Sequence, residues 1–168
     1  RPHKNEPALI QAFAKASLPD DIKLVFSGNP TESLTQIIGK LDLQDKVVFA
    51  GRIPEAELPN YYRGALGFVF PSLYEGFGLP PIEAMACGCP VAVSNAASLP
   101  EVCGDAGILF NPRDTHSITQ AIEQLVHQTE LRQALIRKGI EQAQRYDWQV
   151  FAQKIEAELQ KVVDTLEG

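Results

Sequence analysis

Between Tyr74 and Glu83 the chain reads YEGFGLPPIE, residue types that suit a phosphorylated, hydroxyl-rich ligand. Gly76 and Gly78 carry no Cβ, so backbone N–H groups beside them can approach a ligand closely. Pro80 and Pro81 suit the first turn of a helix. A helix starting there presents unpaired N–H donors and about half a positive charge, a seat for phosphate. Glu75 stands just before the turn, and Glu83 about one helical turn inside the helix. A carboxylate accepts strongly from paired hydroxyls, as on ribose or a hexose. An apolar helix over Pro80–Cys87 needs neither glutamate for its own stability. Singly, these residues have ordinary readings: a glycine turn, a solvated loop carboxylate, an acid favoured by a helix dipole. As one segment they point to a ligand. The segment is not a dinucleotide fingerprint, because Pro81 stands where the third glycine belongs. Nor is there a P-loop, because Gly39-Lys40 is followed by Leu41.

The elements that must position this segment follow a βαβα rhythm. Lys23–Ser27, Val47–Ala50, Gly67–Phe70, Pro90–Ser94 and Gly107–Phe110 read as strands. They are nearly continuous apolar runs bounded by turn formers, the pattern of strands buried on both faces. Helical patterns occupy Glu6–Ala16, Thr31–Leu41, Glu55–Arg63 and Pro80–Cys87. The alternation predicts an α/β fold, a Rossmann-like parallel sheet flanked by helices. Ligands sit at the carboxyl ends of strands in such sheets. The loops that follow strands here are Ser27–Pro30, Gly51–Pro54, Pro71–Pro81 and Asn95–Pro100.

After the last strand the pattern is helical only. Ile118, Ala121, Ile122, Leu125 and Val126 form one apolar stripe, and Leu131 and Leu135 a weaker one. Trp148, Phe151, Ile155, Leu159, Val162 and Leu166 form a third. All three read as core packing, and the last is long enough to dock on a neighbouring domain. Asp114 and Thr115 can cap the first of these helices. The chain opens on a helix without the strand that should precede it, which predicts a further strand upstream.

The 168 residues, 45% hydrophobic and 21% charged, suit one globular domain. A net charge of −6 argues against a nucleic-acid partner. It also means that an anionic ligand must be held locally, against the overall field. No apolar run approaches the ~18 residues of a transmembrane helix, and the first ten residues lack the core of a signal peptide. Cys87, Cys89 and Cys103 are an odd set that suggests no disulfide framework. With His116 they fit no zinc spacing, so they read as small buried side chains in a reducing cytoplasm. There is no Asp-x-Asp motif, and no metal or cofactor is expected. His3, His116 and His127 read as surface or helix residues.

Tyr74–Asn95, YEGFGLPPIEAMACGCPVAVSN, resembles the signature of glycosyltransferase family 4, whose core is two glutamates separated by seven residues, here Glu75 and Glu83. RPHKN at the start, Ser98–Asp114 and the Tyr146-Asp147-Trp148 turn are also similar to family segments, so the resemblance covers nearly the whole chain. It implies a GT-B fold, of which this chain would be the C-terminal, donor-binding domain. A first strand and an N-terminal acceptor domain would lie outside it. The resemblance also implies roles. Glu83 would bind the ribose hydroxyls, and Glu75 the transferred sugar near the reacting carbon. The backbone of Gly76, Phe77, Gly78 and Leu79 would hold sugar and diphosphate. Lys4 would neutralise the diphosphate. The family arginine five residues earlier falls before residue 1, and Arg1 does not replace it. Arg52 and Ile53 would line the base pocket. The partners implied are a GDP- or UDP-linked sugar, with a mannose type suggested by Pro2–Asn5, and a glycan or lipid-linked acceptor. The reaction would retain anomeric configuration without a metal. A non-catalytic nucleotide-sugar-binding module or subunit, and a GT-B epimerase or phosphorylase, are the alternatives.

Overall fold

A computed structural model describes residues 2–146 and 148–167. After a 3₁₀ turn at Pro2–Lys4, the order is α1 (Glu6–Lys15), β1 (Leu24–Phe26), α2 (Glu32–Lys40), β2 (Val47–Phe49), α3 (Leu58–Gly64), β3 (Phe68–Phe70), α4 (Leu79–Ala86), β4 (Val91–Ser94), α5 (Leu99–Cys103), β5 (Gly107–Phe110), α6 (Thr115–His127), α7 (Thr129–Gln144) and α8 (Trp148–Glu167). The expected strands and helices form, with their ends shifted by a few residues. The short α5 occupies a segment read as loop. Five residues with a proline near the start are too few to display a helical period.

All strand pairs are parallel. β1 pairs with β2, placing Leu24 opposite Val47. β4 lies between β3 and β5, with Val91 opposite both Phe68 and Gly107. The ribbon and the three-stranded sheet are separate, and β1 and β3 do not pair with each other.

Local chemistry starts the helices. Thr31 Oγ1 accepts from the Leu34 N–H at the start of α2, with Glu32 and Lys40 placed to complement its dipole. Asp114 caps α6, accepting from His116 N–H at 2.9 Å. The predicted α6 stripe then buries Ile118, Ala121, Ile122 and Leu125 against α1. Each fully buried Leu or Ile of this kind contributes about 1.5–3 kcal/mol. One core joins α1, α2 and α6 to Phe26, Val47, Ala92 and Phe110. A second core of Tyr62, Phe70, Met85, Val91, Val93, Leu99 and Cys103 lies beneath the β3–α4 loop.

Two expectations are corrected. Only β4 is buried throughout, because it alone has strands on both sides and helices packed against it. The ribbon packs one face through Phe26 and Val47. The alternate side chains, Val25 (50% exposed) and Val48 (38%), are left open. The second correction concerns α8, whose stripe is not core among the described side chains. Ile155, Leu159 and Val162 are exposed, with no covering element among the described residues. Asp147 and the side chains of Trp148, Phe151 and Leu166 lie outside the described residues, as do Arg1 and Gly168.

Cys89 and Cys103 are buried as expected. Burial pushes both thiols up to about 12, so they stay protonated and inert at neutral pH.

Candidate functional site

Lys4 reaches the site through contacts distant in sequence. Leu73 N–H donates to the His3 carbonyl at 2.7 Å, tying the first turn to the loop after β3. Asn5 adopts a left-handed conformation (φ 57°), and its side-chain amide donates to the Pro112 carbonyl at 2.8 Å. Between these anchors, Lys4 Nζ lies 4.9 Å from the centre of the Phe70 ring and donates to Glu75 Oε1 at 2.8 Å. The two residues predicted to face diphosphate and sugar therefore meet directly.

The environment keeps Glu75 ionised. Burial raises its pKa, but the Lys4 hydrogen bond, the Ser72 hydroxyl and the Lys4 charge outweigh that and hold it below the ordinary carboxylate value. Ser72 is fully buried. Its hydroxyl is near enough to favour the charged carboxylate, yet it meets no acceptor in good hydrogen-bonding geometry.

The two glycines of the loop have different tasks. Gly78 has φ +105°, and a Cβ there would lie 2.6 Å from Leu99 Cδ2. Only glycine fits both the backbone and the packing. A Cβ on Gly76 would enter open space, so that position stays clear on the outer side of the loop. Among the described residues, the N–H groups of Gly76, Phe77, Gly78 and Leu79 donate to no other protein group. With the start of α4 they form a run of free donors of the kind that binds anions.

Glu83 projects from α4, exposed, one turn beyond those donors. Its Oε2 accepts from the Tyr62 hydroxyl at 3.4 Å. Burial first, then the Glu83 charge and hydrogen bond, raise the Tyr62 pKa well above its usual range, so Tyr62 remains a donor. Arg52 is exposed and Ile53 half-buried after β2. No contact among the described residues brings either to Lys4, Glu75 or Glu83. Gly28 and Gly51 bridge the loops of that ribbon, with reciprocal N–H to carbonyl bonds of 2.6 and 3.1 Å.

Ser72, Tyr62 and Ser98 were not foreseen as site residues. Their hydroxyls are visible in the sequence, but their targets are set by tertiary contacts. Ser98 Oγ donates to the carbonyls of Phe77 (2.7 Å) and Glu75 (3.1 Å). Among the described residues, no group of three or more His, Cys, Asp or Glu side chains could hold a metal ion. No helix there is long and apolar enough to cross a membrane.

A sequence model of the family "Glycosyl transferases group 1" matches residues 1–142. The chain belongs to this family. It is 37% identical over 153 residues to O-antigen chain mannosyltransferase B of Escherichia coli, covering 88% of this chain and 40% of that protein. The C-terminal domain of a group 1 family glycosyl transferase (LpcC) from Francisella tularensis superposes with a TM-score of 0.76 at 28% identity, covering 86% of this chain and 80% of that one. Anabaena Alr3699/HepE in complex with UDP superposes with a TM-score of 0.86 at 25% identity, covering 96% and 46%. The domain thus has the α/β fold of the C-terminal domain of GT-B glycosyltransferases, and it spans two fifths of the mannosyltransferase's length.

Proposed function

We propose that this domain binds a nucleotide-diphosphate sugar and, with an N-terminal acceptor domain, transfers the sugar to a glycan or lipid-linked acceptor with retention of anomeric configuration. The observation that carries this reading is the Lys4–Glu75 pair beside the free N–H groups of Gly76–Leu79, with Glu83 one turn away. The transferred sugar would meet Glu75, the diphosphate Lys4 and the loop amides, and the ribose Glu83. As the bond from the anomeric carbon to the diphosphate breaks, negative charge grows on the leaving group. Lys4 and preorganised amide donors are placed to stabilise it. Lys4 has three N–H donors, so one can hold Glu75 while others meet phosphate. Arg52 and Ile53 would border the base, largely through backbone. The name of the Escherichia coli relative supports a mannosyl donor, and the complex of the Anabaena neighbour supports a uridine nucleotide as one base to test.

Calorimetric titration with UDP, GDP, ADP and their sugar conjugates, without added metal, tests the reading. One base is expected to bind selectively. Glu83→Ala should weaken nucleotide binding by about 1.5–3 kcal/mol, the scale of hydrogen bonds to a charged group. Glu75→Ala should affect free nucleotide less, because its partner is the sugar. Equal losses from both variants would end this division of roles, and unchanged affinity in folded Glu83→Ala would remove the ribose assignment.

A further inference from the structure

We infer that Ser98 is a positioning residue that sets the aim of the glycine loop at the donor diphosphate, an inference that rests on the donor-binding reading above. Ser98 stands just before α5 with helical dihedral angles (φ −74°, ψ −14°), not the extended backbone from which a serine caps its own helix. Here the side chain makes no capping bond. The hydroxyl crosses instead to the β3–α4 loop and donates to the Phe77 carbonyl at 2.7 Å and the Glu75 carbonyl at 3.1 Å. The residue before it, Ala97, is held at φ +51°, a left-handed conformation that costs a non-glycine residue energy. The left-handed backbone at Ala97 and a side chain not committed to its own helix together place one hydroxyl under the loop.

The effect on the loop follows from the planarity of the peptide bond. In a trans peptide the C=O and the following N–H point to opposite sides. Drawing the Glu75 and Phe77 carbonyls toward Ser98 turns the Gly76 and Gly78 N–H groups away from it. These are two of the amides left without a protein partner. Neighbouring contacts lock the same geometry. Leu99 Cδ2 fills the space a Cβ on Gly78 would need. The Phe77 ring meets Tyr146 edge-on at 5.6 Å, and the Tyr146 hydroxyl returns to the Glu101 carbonyl of α5. Ser98 touches no reacting atom in this scheme. It acts through the backbone of residues 75–78, and a binding site needs its donors held to within about 0.5 Å.

Ser98→Ala tests this with two readouts. ¹⁵N relaxation of Gly76 and Gly78 in the free protein should show order parameters falling from about 0.85, typical of rigid backbone, to below about 0.6. Affinity for the preferred nucleoside diphosphate should fall by about three- to tenfold, the scale of one hydrogen bond. Affinity for the corresponding nucleoside should stay unchanged, and Ser98→Thr, which keeps the hydroxyl, should restore diphosphate binding. Unchanged order parameters would overturn the inference, as would equal loss of nucleoside and diphosphate. A loop that loosens in Ser98→Ala, while the unaltered chain binds no nucleoside diphosphate, would overturn the donor reading and leave the loop-positioning role standing.

Discussion

The loops at the carboxyl ends of β1 and β2 differ in construction from those of β3 and β4. On the ribbon, Ser27–Pro30 and Gly51–Pro54 are joined by a backbone bridge between Gly28 and Gly51, and the Arg52 side chain lies exposed. On the three-stranded sheet, several side chains from elsewhere hold the β3–α4 loop. Lys4 holds Glu75, Ser98 holds two carbonyls, Leu99 packs on Gly78 and Tyr146 on Phe77. Charge on a diphosphate or a departing leaving group is stabilised by donors that are already oriented. A base edge can be met by backbone groups that need no side-chain scaffold. The contrast therefore matches the division of labour proposed for the two loop pairs.

The largest effect should separate two glycines with similar backbones. Gly78→Ala introduces a left-handed alanine and a 2.6 Å clash with Leu99. Strain and overpacking together should cost about 2–4 kcal/mol. Gly28→Ala also carries strain (φ +92°) but meets nothing within 4 Å, and should cost about 1–2 kcal/mol. Urea unfolding midpoints of the two variants measure the difference. Equal costs would mean that Leu99 moves aside and that the loop is less tightly held than the ribbon contrast requires.

A smaller effect should appear with pH. The folded-state pKa of Glu75 is depressed, so its stabilising contribution is present above the unfolded carboxylate value. That contribution is lost as pH falls through the lower folded value. Melting temperatures of the protein and of Glu75→Gln should therefore differ near neutrality and converge in acid. The difference should correspond to about 1 kcal/mol, because both side chains keep some solvent contact. A gap that persists below the folded pKa would show that packing, rather than the charge pair, holds this carboxylate.

The smallest effect is expected at Arg52. Arg52→Ala should change stability by less than about 0.5 kcal/mol, as for an exposed side chain with no partner among the described residues. In nucleotide titration it should reduce affinity less than Glu83→Ala does. A loss at Arg52 matching that at Glu83 would show that the ribbon loop uses its side chain after all.

Much of this was legible in the sequence. Glycines and prolines at Gly76–Pro81 signalled a turn into a helix because those residues act through local backbone constraints. The strands and the α6 stripe were legible because burial imposes a period on neighbouring residues. The five-residue α5 was too short for a period. Exposure of Val25, Val48 and the α8 stripe was missed because an apolar pattern reports what a surface can bury. Whether a partner element lies across that surface is decided elsewhere in the chain.

The same distinction governs the site. Residue types at Glu75 and Glu83, and the glycines between them, determined by themselves that this segment would present carboxylates around a free-amide turn, because spacing along a helix start is a local property. Only the tertiary structure decided that Lys4, 71 residues away, would pair with Glu75. It also decided that the Ser98 hydroxyl would cross to hold the loop, and that Arg52 would stand apart from both. Those outcomes depend on which chain segments the two cores bring within hydrogen-bond distance, and no local pattern of residues encodes that.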